Sequence, residues 1–312
     1  MFRNLTPAEA AAENWDVIIA GSSFSAMFFL RGLPAGLRVL ILEKGPLQPH
    51  EDQVQNDFSV IEDIPVQNTS DTRKVWKAHS IFGGNSNCWW ACTPRFHPND
   101  FRMMTEYGVG QDWPVTYDTL DPFYAEVEQV MEVSGGGSDH ILPRSTPFPF
   151  PPHTPSHTDF VLQAHSNDWF AQPTARSNGG SRAQCCGNGF CHLCPIDAKF
   201  TVLNGIDRFK RDTAAVVLGA EVRAVDIAGG VASGVLVRAG DGAEQRIAGG
   251  LVALGANAIF NAAILMRSGV KNPALGRYLH EQVGINVILD LETGPAKLFR
   301  RYVNPWPWVR AL

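Results

Sequence analysis

Near the start of the chain, short apolar runs alternate with a helical stretch. Residues 17–20 (Val-Ile-Ile-Ala) form one β-run, residues 25–33 carry a helix, and residues 38–43 (Arg-Val-Leu-Ile-Leu-Glu) form a second β-run. The turn between the first run and the helix falls at Gly21 and continues through Ser22 and Ser23, with Ala26 close behind. A strand, a small-residue turn, a helix and a second strand predict a βαβ unit.

Further along, Pro46, Pro49 and Pro65 break any long element, so residues 45–71 are expected to be irregular and to wrap the surface. Asp121-Pro122 opens a helix, with Asp as N-cap and Pro at the first helical position. Phe123, Val127, Val130 and Met131 share one of its faces, and residues 135–137 (Gly-Gly-Gly) end it. Six prolines between 143 and 155 hold the backbone extended and out of any central strand, and Phe148 and Phe150 give that stretch something to pack with. Residues 214–255 then read as a β-meander. Its runs are 216–218, 221–227, 231–237, 245–247 and 251–254, with turns at Gly229-Gly230 and Gly240-Asp-Gly242, and a helix follows over 259–268.

The Gly21 turn has the spacing of the G-x-G-x-x-G dinucleotide fingerprint, with Ser23 and Ala26 in place of the second and third glycines. In that reading the first N–H groups of the helix face a pyrophosphate. Glu43, 22 residues after Gly21, stands at a strand tip where a carboxylate accepts hydrogen bonds from ribose hydroxyls. An ordinary βαβ unit with a small-residue turn is the alternative. In doubly wound flavin-binding folds a meander crosses the sheet and returns a strand whose terminal glycine approaches the cofactor, and Gly255 with Ala256 suits that place.

Composition changes this picture little. With 312 residues and 45% hydrophobic content the chain can bury a large core in one or two domains. A net charge of −5 gives no general attraction to nucleic acid or anionic lipid, and Arg208, Lys210 and Arg211 read as a solvated helix face. Residues 1–14 contain no apolar signal core, and no apolar run reaches membrane-spanning length, so no transmembrane segment and a cytoplasmic location are expected. Export with a signal-bearing partner would leave the same pattern. Six cysteines fall into two groups, Cys88 with Cys92, and Cys185, Cys186, Cys191 and Cys194. The second group puts four thiols within ten residues, with glycines between them and Pro195 directly after. That pattern is compatible with iron–sulfur ligation and equally with structural or disulfide-forming cysteines, while adjacent thiols fit a single tetrahedral zinc poorly.

Taken together these segments resemble the glucose-methanol-choline oxidoreductase family, FAD-dependent enzymes that oxidise alcohols and sugars. Beyond the βαβ unit the resemblance rests on Phe82-Gly83-Gly84-Asn85-Ser86-Asn87-Cys88-Trp89-Trp90 and on Trp113-Pro-Val-Thr-Tyr117 with Leu120, Phe123 and Tyr124. It extends to Pro195-Ile-Asp-Ala-Lys199-Phe200, to Leu254-Gly255-Ala256-Asn257-Ala258 with Leu265 and Ser268-Gly269, and to Leu275-Gly-Arg-Tyr-Leu-His280. It implies an α/β fold: a Rossmann-like doubly wound FAD-binding domain with a β-meander crossover, and an incomplete substrate domain. The implied division is an FAD-binding first segment over 14–134, a Pro-rich excursion over 135–182, a Cys-rich loop with the second FAD-binding segment over 183–290, and a divergent tail over 291–312.

The resemblance also assigns roles. Gly83, Gly84, Asn85, Ser86 and Asn87 correspond to the family's second glycine-rich segment, which lines pyrophosphate and flavin. Val222 corresponds to a strand residue whose backbone meets the adenine. Cys88 falls where some relatives carry a histidine covalently bonded to flavin; a thiol link and a small buried cysteine are both open. Adjacent cysteines followed by a third at this spacing occur in sugar dehydrogenases of the family that hold a three-iron cluster, but here the last spacing is one residue shorter, which leaves a fourth ligand open. In the family a histidine removes the hydroxyl proton while hydride moves to flavin N5. That histidine lies in a C-terminal stretch with no counterpart here, so no base is assigned, and His79, His97 and His280 read as hydrogen-bonding residues. The chain by itself is expected to have little or no turnover. An alcohol or sugar substrate and an electron-accepting subunit are the implied partners. Two alternatives stand beside this reading: a non-catalytic flavin-binding fragment or subunit, and an NAD-dependent dehydrogenase.

Overall fold

The structure, a computed structural model, describes residues 2–56, 61–64, 75–139 and 141–279. His280, the end of the last resembling motif, and the expected tail lie outside them. In chain order the elements are β1 (Arg3–Asn4), α1 (Pro7–Ala11), β2 (Trp15–Ala20), α2 (Phe24–Gly32), β3 (Val39–Glu43), α3 (His50–Asn56), β4 (Ile61–Asp63) and β5 (Lys77–His79). There follow α4 (Met103–Tyr107), α5 (Tyr117–Met131), α6 (His157–His165), β6 (Ala214–Leu218), β7 (Glu221–Ala228), β8 (Val231–Arg238), β9 (Glu244–Leu254) and α7 (Ala258–Arg267). They divide between two compact units, one holding residues up to Cys88 and resuming at Thr201, the other holding Trp89–Phe200.

The first unit is built on a seven-stranded sheet in the order β1-β6-β3-β2-β9-β8-β7. The first five of these run parallel, and β9, β8 and β7 form the antiparallel meander. Residues 17–20 and 39–42 are apolar without interruption because both faces of these central strands are covered; Ile18, Ile19, Leu40 and Ile41 have no exposed surface. Each such side chain contributes about 1.5–3 kcal/mol on burial. One core cluster joins Ile18, Ala20, Leu40 and Leu42 to Val235, Val237 and Ile247 of the meander and to Ile264 of α7.

The two expected runs 245–247 and 251–254 are one strand, β9, which pairs antiparallel with β8 through Ala248 and parallel with β2 from Gly249. Gly249-Gly250 does not end it. A Cβ on Gly249 would lie 2.7 Å from the Ile18 side chain, so glycine there is what lets the strand pass from one partner to the other. Residues 45–71 are not irregular throughout: α3 starts directly after Pro49 with Glu51 and Asp52 in its first turn, a favourable helix start.

In the second unit, α5 begins at Tyr117, five residues before the expected first helical residue, and contains Pro122. The Thr116 hydroxyl caps it, accepting from Thr119 N–H at 3.2 Å. Asp121 is engaged elsewhere: its carboxylate binds Arg95 and Ser145, and Arg95 Nε also donates to Glu128 Oε1 at 2.9 Å. The helix ends at Glu132, in the left-handed region with φ 54°, before the glycine run. The Pro-rich stretch packs through its aromatic residues. Phe150 bridges to Ser134, and the Phe148 ring sits where a Cβ on Gly135 would come within 2.8 Å. No helix among the described residues is long and apolar enough to cross a membrane.

Candidate functional site

The C-terminal ends of β2, β3 and β9 meet in the first unit, and small residues let them do so. Gly21 has φ 92°, a conformation side chains rarely adopt, and its N–H donates to Leu42 O at 2.8 Å. A Cβ on Gly21 would stand 2.6 Å from Gly255 O, and one on Gly255 would stand 2.8 Å from the Ala26 Cβ. Glycine at 21 and 255 and alanine at 26 are therefore one mutual packing requirement. Ser23 is the N-cap residue of α2 but its side chain makes no capping hydrogen bond.

The second glycine segment lies against this turn. Gly83 and Gly84 have φ 89° and 51°, and a 3₁₀ turn runs over Gly84–Asn87. A Cβ on Gly84 would come 3.2 Å from the Ser23 Cβ. The segment is fastened on several sides: Gly83 N–H donates to Ser22 Oγ at 2.8 Å, His79 N–H to Asn85 Oδ1 at 2.8 Å, and Val202 N–H to Ser86 Oγ at 3.1 Å. Asn87 Nδ2 donates to Phe82 O at 2.9 Å. Cys88 is half-buried with its thiol donating to Asn85 O at 3.7 Å.

Glu43 sits at the tip of β3, 7% exposed. Ser22 Oγ donates to its Oε2 at 2.5 Å and Gly45 N–H to its Oε1 at 3.0 Å. Burial pushes its carboxyl up, against the opposing pull of these hydrogen bonds and of the neighbouring Lys44 charge. Gly45 was not singled out from the sequence, yet a Cβ there would lie 1.8 Å from Ser80 O.

A cavity of about 230 Å³ opens between these elements. Of the residues expected from the sequence, Gly21, Ser22, Ser23, Glu43, Gly84, Asn85, Val222, Gly255 and Ala256 line it. Ala26, Gly83, Ser86, Asn87 and Cys88 do not; they support its wall or lie beside it. Lys44, His79, Phe260 and Arg267 line it as well and were missed. Lys44 adjoins the signalled Glu43; the others carry no local signal, because only the fold brings them there. The volume falls below the roughly 300–1,000 Å³ of a typical ligand pocket, which suits one part of an extended ligand. A buried acceptor, a serine hydroxyl at a helix start and an apolar wall at Val222 and Phe260 are the groups that ribose, phosphate and adenine each require. Of the histidines considered from the sequence, His79 is buried on β5, and His97 caps a short turn, its Nδ1 accepting from Asn99 N–H at 3.2 Å.

The second unit holds the four thiols for which the sequence leaves iron–sulfur ligation and a structural role both open. Cys185 is half-buried, Cys186 exposed, and Cys191 and Cys194 buried, and none of the four is in a disulfide. Among the described residues no three His, Cys, Asp or Glu side chains are grouped to hold a metal ion. Cys191 Sγ accepts from Arg176 Nη1 at 3.5 Å and Cys194 Sγ from Ala198 N–H at 3.3 Å, and both lie near enough to Cys185 to act on its thiol. Burial pushes the Cys92 and Cys185 thiols up.

A family model described as GMC oxidoreductase matches residues 16–284. The chain is 30% identical over 326 aligned positions to 6'''-hydroxyparomomycin C oxidase of Streptomyces lividus, covering 94% of this chain and 59% of that protein. It is 28% identical over 250 residues to the fructose dehydrogenase large subunit of Gluconobacter japonicus, covering 68% of this chain and 46% of that one. A 2-methyl-1,2-propanediol dehydrogenase of Mycolicibacterium austroafricanum is 29% identical over 44% of this chain and 28% of its own. Among solved structures, pyridoxine 4-oxidase from Mesorbium loti superposes with a TM-score of 0.57 over 82% of this chain and 52% of its own; at 18% identity this is a likeness of fold. The chain spans about half the length of the first two curated relatives.

Proposed function

The chain belongs to the GMC oxidoreductase family, and from that premise we propose that it binds FAD and serves the oxidation of a CH–OH group in an alcohol or sugar. The observation that carries the proposal is one cavity lined by both the Gly21 turn and the Gly84-Asn85 segment, with the Glu43 carboxylate in its wall. In this reading Glu43 accepts from ribose hydroxyls, Ser23 and the start of α2 take the pyrophosphate, and Val222 and Phe260 flank the adenine. Gly83 to Asn87 hold the chain close to the flavin side. Bound FAD supplies the hydride acceptor. The protein's residues orient it and keep water from its buried end.

The relatives' names give fructose, 6'''-hydroxyparomomycin C and 2-methyl-1,2-propanediol, all hydroxyl compounds, which supports a polyhydroxylated or diol substrate. One relative is named as a large subunit, and an electron-accepting partner subunit is the corresponding proposal. Because the chain spans about half the length of these relatives, the complete reaction is proposed of the whole protein. These 312 residues alone are expected to bind flavin with little or no turnover. Titrating the purified chain with FAD tests the reading: flavin fluorescence is expected to quench with saturation near one FAD per chain. Absence of quenching at saturating flavin would overturn it.

A further inference from the structure

We infer that Ser22 is a positioning residue of this site, its hydroxyl locking the ribose-binding carboxylate of Glu43 to the second glycine segment so that the two respond to nucleotide together. The inference rests on reading the cavity as a nucleotide site.

A serine hydroxyl has one proton to donate and two lone pairs to accept with. Here the proton goes to Glu43 Oε2 at 2.5 Å and a lone pair takes Gly83 N–H at 2.8 Å, while the residue is 1% exposed. Ser22 is thus turned inward although it occupies the variable place of a phosphate-binding turn. Its neighbour Ser23, whose hydroxyl does not cap its own helix, is the one left for a phosphate. The second carboxylate oxygen is held by Gly45 N–H at 3.0 Å, so donors from both sides of the strand tip fix the plane of the carboxylate. Hydrogen bonds to an ionised carboxylate are short and strong, and this one continues directly into the backbone of the segment that carries Gly84 and Asn85. Removing the hydroxyl leaves the buried Gly83 N–H without this acceptor and the buried carboxylate short of a donor. The other charged or titratable groups lining the cavity are Lys44, His79, Glu221 and Arg267.

Ser22→Ala, Glu43→Gln and the double variant, each titrated with ADP by calorimetry at pH 8 and pH 6, test the lock. Ser22→Ala is expected to weaken ADP binding by about 10- to 100-fold, the size of a hydrogen bond to a charged group, and to steepen the loss on going to pH 6. On the Glu43→Gln background the same change is expected to cost less than about 3-fold and to show no pH dependence, because coupled residues are not additive. Equal affinity of Ser22→Ala and wild type, or additive effects, would overturn the inference while leaving the nucleotide reading intact. Failure of wild type to bind ADP or FAD removes both. A second readout needs no Ser22 variant. Adenosine, which carries ribose but no phosphate, is expected to slow backbone hydrogen exchange across residues 82–88 in wild type and not in Glu43→Gln; unchanged exchange in both defeats the lock.

Discussion

Gly21 and Gly255 face each other across the ends of adjacent strands so closely that a methyl group on Gly21 would fall 2.6 Å from the Gly255 carbonyl oxygen. Alanine at 21 must also take φ 92°. Gly21→Ala is therefore expected to lose about 2 kcal/mol or more of stability, combining backbone strain with a backbone clash. Urea denaturation of the apo chain measures it; a loss under about 0.5 kcal/mol contradicts the packing described.

Glu43 gives a pH dependence of definite sign. Burial raises its folded-state pKa above the unfolded value, so between the two the folded chain holds the proton more tightly than the unfolded one. Stability from this group is accordingly greatest below the unfolded value and declines as pH rises through the folded one. Apo wild type is expected to lose stability relative to Glu43→Gln over that interval and to run parallel to it above. A constant difference from pH 4 to pH 8 would show that the carboxylate is not desolvated.

Arg95 holds two buried carboxylates, Asp121 and Glu128. Arg95→Met leaves both without that cation and is expected to cost about 3–5 kcal/mol. Denaturation of the variant monitored by tryptophan fluorescence checks this, and a cost below about 1 kcal/mol would mean that the arginine is replaceable.

Native thiol titration with an aromatic disulfide reagent is expected to show one fast-reacting cysteine, Cys186, the exposed member of the group. Cys186→Ser should abolish the fast phase. Equal reactivity of Cys191 or Cys194 would show that their burial is not maintained in solution.

What could be read from the sequence was what neighbouring residues decide. The strand, the Gly21 turn, α2 and Glu43 follow from an uninterrupted apolar run and small residues at fixed offsets. The start of α5 did not follow, because Asp121 is a good cap on its own and only the fold reveals that Arg95 and Ser145 engage it. The runs 245–247 and 251–254 read as separate because only the nearby Ile18 side chain explains why glycine is needed mid-strand at 249. Lys44, His79, Phe260 and Arg267 reach the cavity from separate parts of the chain, and spacing carries no trace of that convergence. The cysteines show what spacing leaves open: that Cys191 accepts from Arg176 and Cys194 from the Ala198 N–H is decided by the fold, not by the interval between the thiols.

The pairing of β2 with β9 joins Trp15 to Gly249 across most of the chain. During synthesis the inner edge of β2 therefore waits for more than two hundred further residues before its partner exists, a delay on the order of tens of seconds at about 5–20 residues per second. Through that interval a row of main-chain groups flanked by Val17, Ile18 and Ile19 lacks its β9 partner, an edge of the kind that pairs with other chains when left open.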